Sequence, residues 1–104
     1  MIKPFILPKK LAIIDISRVT YVSYPKHVSY SDQNGLHEHW EFDVKFEYTA
    51  AIVDLKFTYK YKWVQDEYHT EGLEARETGI DGKKKAEKAC KVDHYAILSE
   101  LIGL

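Results

Sequence analysis

The chain has 104 residues, 45% of them hydrophobic and 30% charged, with a net charge of −1. That size and balance support one folded domain, residues 1–104, able to bury roughly 60–70% of its unfolded surface. They exclude a global attraction to nucleic acid or acidic membranes. The lone cysteine, Cys90, excludes an intramolecular disulfide and suits a reducing compartment. No stretch reaches the ~18 apolar residues of a membrane span. The start, Met1 to Pro8, holds too short an apolar run for a signal peptide. The expectation is a soluble, cytoplasmic protein with no membrane partner.

Pro4 and Pro8 mark residues 1–10 as an extended arm or edge segment. Leu11 to Ile14 is a short apolar run, and Asp15 to Arg18 a turn in which Asp15 bonds its own backbone. Val19 to Tyr24 reads as a strand, ended or bent by Pro25. Ser31-Asp32-Gln33-Asn34-Gly35 is a turn cluster whose Asn34-Gly35 pair is a strong hairpin signal.

Two strands then stand out, 37–48 and 54–64. Trp40, Phe42, Val44, Phe46 and Tyr48 alternate with charged residues, and Leu55, Phe57, Tyr59, Tyr61 and Trp63 alternate with Lys56, Thr58, Lys60 and Lys62. A period of two means strands with one buried face. With residues 49–53 read as the connection, charge selects a register: Glu47 opposite Lys56, Asp43 opposite Lys60, Glu41 opposite Lys62. Phe46 then meets Phe57, Phe42 meets Tyr61, and Trp40 meets Trp63. A slip of two residues would set Glu47 against Asp54 and Lys45 against Lys56, and opposed like charges destabilise.

Residues 65–81 read as a long polar excursion. Asp81 offers an N-cap, and about 83–102 reads as a helix closed by Gly103. Its apolar stripe is Ala86, Ala89, Cys90, Ile97, Leu98, Leu101 and Ile102, interrupted by Asp93 and His94. The fold class expected is α+β: an antiparallel meander of four to five strands with this helix on its aromatic face. A small, partly closed β-barrel capped by the helix is the alternative.

Candidate chemistry is sparse. His37 and His39, two apart on a strand and with Asp66 across from His37 in that register, are the residues to consider for a divalent metal; an exposed charged face with ordinary histidines is the commoner explanation. Lys83, Lys84, Lys85, Lys88 and Lys91 form a basic half-helix suited to nucleic acid or an acidic partner. The acids at 66, 67, 71, 74, 77 and 81 can instead offset them. Tyr21, Tyr24 and Tyr30 are candidates for a protein interface, where tyrosine is enriched. Cys90 beside Ala86 reads as a core thiol. There is no phosphate loop, no G-x-S-x-G, no C-x-x-C and no H-E-x-x-H. No cofactor is expected. The leading reading is a non-catalytic protein-interaction or inhibitory accessory protein, phage- or bacteria-encoded, with a homodimer as one form. A nucleic-acid-binding module and a small-ligand or metal-binding domain are the alternatives.

Overall fold

The computed structural model describes residues 2–33, 35–61 and 80–103. It is an α+β fold with a two-stranded hairpin, a four-stranded antiparallel sheet and a long C-terminal helix. The strands are β1 (Pro4–Ile6), β2 (Ile13–Asp15), β3 (Val19–Val22), β4 (Lys26–Asp32), β5 (Gly35–Tyr48) and β6 (Ala51–Tyr61), and the helix is α1 (Ile80–Leu101). The sheet is not closed into a barrel: among the described residues, β6 pairs only with β5.

The expected arm is half of a hairpin. β1 pairs with β2 through Pro4↔Asp15, Phe5↔Ile14 and Ile6↔Ile13. Leu7 is fully buried, and Phe5 packs against the core. Proline is tolerated at the first position of a short edge strand, so Pro4 starts β1 without breaking a ladder. The apolar side chains then hold the segment in. Asp15 caps the 3₁₀ turn Ile16–Arg18, accepting from the Ser17 N–H at 3.1 Å, as its place in the sequence leads one to expect.

Central strand β5 is fourteen residues long, about 48 Å at 3.4 Å per residue. No single neighbour matches it. β4 lines the first half of one edge, from Asp32↔Gly35 to Lys26↔Glu41. The chain breaks at Ser23–Pro25, and β3 lines the second half of the same edge, with Tyr21↔Lys45 and Val22↔Val44. β4 and β5 meet at Asp32↔Gly35, within the turn cluster that the sequence marks, and Gly35 already belongs to β5. Gly35 sits at φ +115°, a conformation that side-chain-bearing residues rarely adopt.

β6 takes the other edge, and here the register differs from the sequence expectation by four residues. Asp43 faces Lys56, Lys45 faces Asp54, Phe42 faces Phe57 and Trp40 faces Tyr59. A shift of four keeps every side chain on its face and still opposes unlike charges, though at two positions in place of three, so charge did not select the register that forms. The turn decides. Tyr48 pairs with Ala51 across Thr49–Ala50, so Ala51, Ile52 and Val53 join the strand instead of forming a connection. The shorter loop costs less closure entropy and adds ladder bonds. The expected partners Lys62 and Trp63 lie outside the described residues.

The helix and the β1–β2 hairpin cover one face of the sheet. Phe42 and Val44 are fully buried, with Phe46, Phe57 and Tyr59 nearly so. From the helix side come Ala86, Cys90 and Ile97, and from the hairpin and its turn Leu7, Ile14 and Ile16. Phe42 is the hub: its ring lies 5.4 Å from Phe57, 6.1 Å from Tyr59 and 5.5 Å edge-on from His94. Asp81 is inside the helix, not its cap, because α1 already runs from Ile80. The C-terminal end matches expectation: Gly103 takes φ +75°, and the Ile102 N–H bonds the Leu98 carbonyl. Leu101 and Ile102 are exposed and outside the core. Among the described residues, no helix is long and apolar enough to cross a membrane.

Candidate functional site

Among the described residues, the backbone of β6 is where hydrogen-bonding capacity is left without a strand partner. The Asp43 carbonyl accepts from the Ser23 N–H at 2.9 Å, so Asp43 turns its main chain toward β3 and away from β6. Its partner Lys56 must then turn its own main chain away from β5, because residues of an antiparallel pair alternate in direction. Ile52, Asp54, Lys56, Thr58 and Lys60 therefore present N–H and C=O groups along the outer side of β6. One of these groups is taken: the Lys10 ammonium donates to the Thr58 carbonyl and stands over the Tyr59 ring. Among the described residues, no strand pairs with the rest of this edge.

Side chains along the same stretch are apolar and half exposed. Val53 and Leu55 belong to the helix-covered face by register, yet they keep 41% and 42% of their surface in water. The cover stops short of them: the next residues on that face, Phe57 and Tyr59, are buried. Ile52 is exposed on the opposite face. An unpaired strand with exposed aliphatic side chains is a template for another strand.

The cover is held in place by Asp93. This carboxylate is fully buried and accepts three hydrogen bonds, from the Lys9 N–H at 2.7 Å, the Lys10 N–H at 2.9 Å and the Tyr59 hydroxyl at 2.6 Å. It ties the tip of the β1–β2 hairpin to the helix and to β6, and so sets where Lys10 meets Thr58. Burial and Asp93 together push the Tyr59 phenol far above its ordinary range, so it stays a donor. Burial, helped by Asp93, pushes the Cys90 thiol up to about 11. That leaves it an inert core group, as the helical stripe implied.

His94, the other polar residue in the stripe, packs against Phe42 and Tyr24. Burial holds its imidazole below the ordinary 6.5, against an opposing hydrogen bond to the Ser23 main chain. The unfolded chain therefore binds a proton that the folded chain resists. Stability is expected to be level above pH 6.5 and to fall as pH drops below it. His94→Leu should flatten this limb in unfolding measured between about pH 7.5 and 5. A second limb belongs to Glu41. Burial pushes its carboxyl up, but hydrogen bonds from His39 and Lys56 and the charges of Lys56 and Lys26 outweigh burial and hold it below the ordinary 4.5. The Glu41 contribution is complete above pH 4.5 and is lost only under it, so the two limbs separate.

Glu41 sits at the centre of the sheet face away from the helix. It is 4% exposed, with His39 Nε2 at 2.8 Å, Lys56 Nζ at 2.9 Å and Lys26 Nζ at 3.9 Å. His37 is on the same face but bonds Asp32 at 2.9 Å and stacks on Tyr30. The two candidate histidines thus hold different carboxylates. Asp66 lies outside the described residues, and among those described no three metal-ligating side chains gather.

Tyr21, Tyr24 and Tyr30 are all exposed but form no common patch. Tyr21 pairs with Lys45 and Tyr30 with His37, eight residues apart on β5, about 27 Å. Tyr24 is near His94. The lysines do share the helix: Lys84, Lys85, Lys88 and Lys91 are exposed, and Lys83 is half-buried. Lys91 is bound to Glu87 at 2.8 Å and stands over Trp40. The acids at 66–77 that were set against them lie outside the described residues. At the far end of the covered face, Tyr61 donates to Glu38 at 2.8 Å, with His27 Nε2 at 2.8 Å from the same hydroxyl.

The β6 edge was not among the sequence candidates. Its signal was the β-branched pair Ile52-Val53, which continues the strand once Thr49–Ala50 is taken as the turn. Compared with known proteins, the chain matches no family model, no curated protein and no solved structure.

Proposed function

We propose that this chain is a non-catalytic protein-interaction module that takes up an extended segment of a partner along β6. The observation that carries the reading is the run of outward-facing main-chain groups on Ile52, Asp54 and Lys56 beside half-exposed Val53 and Leu55. Strand addition uses these two components: main-chain hydrogen bonds supply affinity, and alternate side chains supply selectivity. An accessory or inhibitory role follows naturally, because a partner strand held this way is withdrawn from its own contacts.

A displayed library of random peptides, selected on the folded protein at low protein concentration, tests the reading. Selected peptides are expected to alternate apolar and polar residues and to bind Leu55→Glu at least about tenfold more weakly than wild type. Selected peptides that bind Leu55→Glu and wild type equally would overturn it.

A further inference from the structure

We propose that the partner strand is β6 of a second copy, paired antiparallel about a two-fold axis at Leu55. This rests on the strand-addition reading and names its occupant. In a symmetric antiparallel pair, choosing the residue on the axis sets the whole register. With Leu55 on the axis, Asp54 of each copy faces Lys56 of the other, and Val53 faces Phe57.

Charge and occupancy select this axis over its neighbours. An axis at Asp54 or at Lys56 would oppose that charge to itself. An axis at Phe57 would make Thr58 half of the central hydrogen-bonded pair, although the Lys10 ammonium already holds its carbonyl; the Leu55 axis places Thr58 only at the ladder's end, opposite Ile52. An axis at Val53 would run the pairing into the Thr49–Ala50 turn. Among the described residues, the stretch of edge without a strand partner or side-chain bond, Ile52 to Phe57, is centred near Leu55.

The register is complementary across both copies. Within one chain, Lys45 faces Asp54 and Asp43 faces Lys56. Across the dimer, each outer row would read Lys45, Asp54, Lys56, Asp43, alternating in sign from one β5 to the other. Opposite charges on directly paired residues are favourable, and like charges are not. On the covered face, the two Leu55 side chains would meet at the axis, and each Val53 would meet a Phe57. The two aliphatic residues that the helix leaves half exposed are those the second copy covers. Asp54 and Lys56 would exchange main-chain hydrogen bonds, since both turn these groups outward.

Leu55 would occupy a non-hydrogen-bonded pair, whose Cα atoms stand about 4.5 Å apart, within disulfide range. Leu55→Cys is therefore expected to cross-link two chains on mild oxidation, while Val53→Cys and Asp54→Cys do not. Native Cys90 is fully buried and leaves the background silent. Sedimentation equilibrium over a concentration series should show a monomer–dimer equilibrium. Leu55→Glu should raise its dissociation constant by about thirtyfold or more. Asp54→Lys, at an exposed position, should raise it by about tenfold with the circular dichroism spectrum unchanged.

A wild-type chain that stays monomeric throughout the series overturns the proposal, as does cross-linking through Val53→Cys in place of Leu55→Cys. A monomer that still takes up library peptides in a Leu55-dependent way overturns self-pairing alone. A monomer without Leu55-dependent peptide binding overturns strand addition as well.

Discussion

Asp93→Ala should lower the unfolding free energy by about 3–4 kcal/mol, although it removes an unpaired charge from the core of a small domain. The carboxylate is fully buried, but the Lys9 and Lys10 amides and the Tyr59 hydroxyl depend on it. Alanine would leave these donors without their acceptor, at about 1–3 kcal/mol for a group that stays buried. Relief of the carboxylate's desolvation offsets part of that sum. Tyr59→Phe removes one donor and keeps the ring, so about 1–2 kcal/mol is expected. Urea unfolding of the two single variants and the double variant would give the coupling, which should exceed 0.5 kcal/mol for groups in direct contact. Hydrogen exchange supplies a local readout. The Leu7 and Leu11 amides, bonded to the Ala12 and Leu7 carbonyls, should lose protection first, because Asp93 holds that turn to the helix. An Asp93→Ala protein within 1 kcal/mol of wild type would sink this account.

Phe42→Ala should cost about 3–5 kcal/mol, comparable to the whole stability of a marginal domain. Phe42 is fully buried at the middle of β5, against rings from β6 and the helix. Truncation removes contacts to both layers and leaves a cavity whose walls are held by the ladder on either side. Phe42→Leu should cost less, roughly 1–2 kcal/mol, since most of the volume is kept. Leu55→Ala, one strand away on the same face but half exposed, should stay within about 1 kcal/mol. Chemical denaturation of these three variants separates a core position from an edge position. Equal losses at Phe42 and Leu55 would contradict the layer arrangement.

Much of this was legible in the residues. The alternation in Trp40–Tyr48 and Leu55–Tyr61 located two strands and the face that is buried. Asn34-Gly35 placed a turn, Gly103 ended a helix, and Asp93 and His94 were visible as polar interruptions of an apolar stripe. Their roles were not visible. Nothing local says that Asp93 meets the amides of Lys9 and Lys10, more than eighty residues earlier. The candidate sites fared unevenly for a related reason. His37 and His39 share a face, as the period of two requires, but each is claimed by a different nearby carboxylate. The three tyrosines are exposed as single residues, while the strand pairing spreads them along the sheet. The basic half-helix remains a row of mostly exposed lysines.

Class and faces were already written in the residue pattern: α+β, antiparallel strands, aromatic residues inward, a long helix over them. Those follow from side-chain periodicity, which is a property of the single strand or helix. Tertiary structure alone decided which residues meet. Registers four residues apart both oppose unlike charges between β5 and β6, and the one that forms has fewer such pairs, so the two-residue turn at Thr49–Ala50 set the ladder by lowering closure entropy. Residues 4–15 fold back as a hairpin because Leu7 finds a buried place, not because of their own propensity. Among the described residues, the unpaired edge of β6 appears only when helix, hairpin and sheet are assembled and their cover stops at Phe57. It is a feature of what the fold leaves uncovered, and no local pattern encodes that.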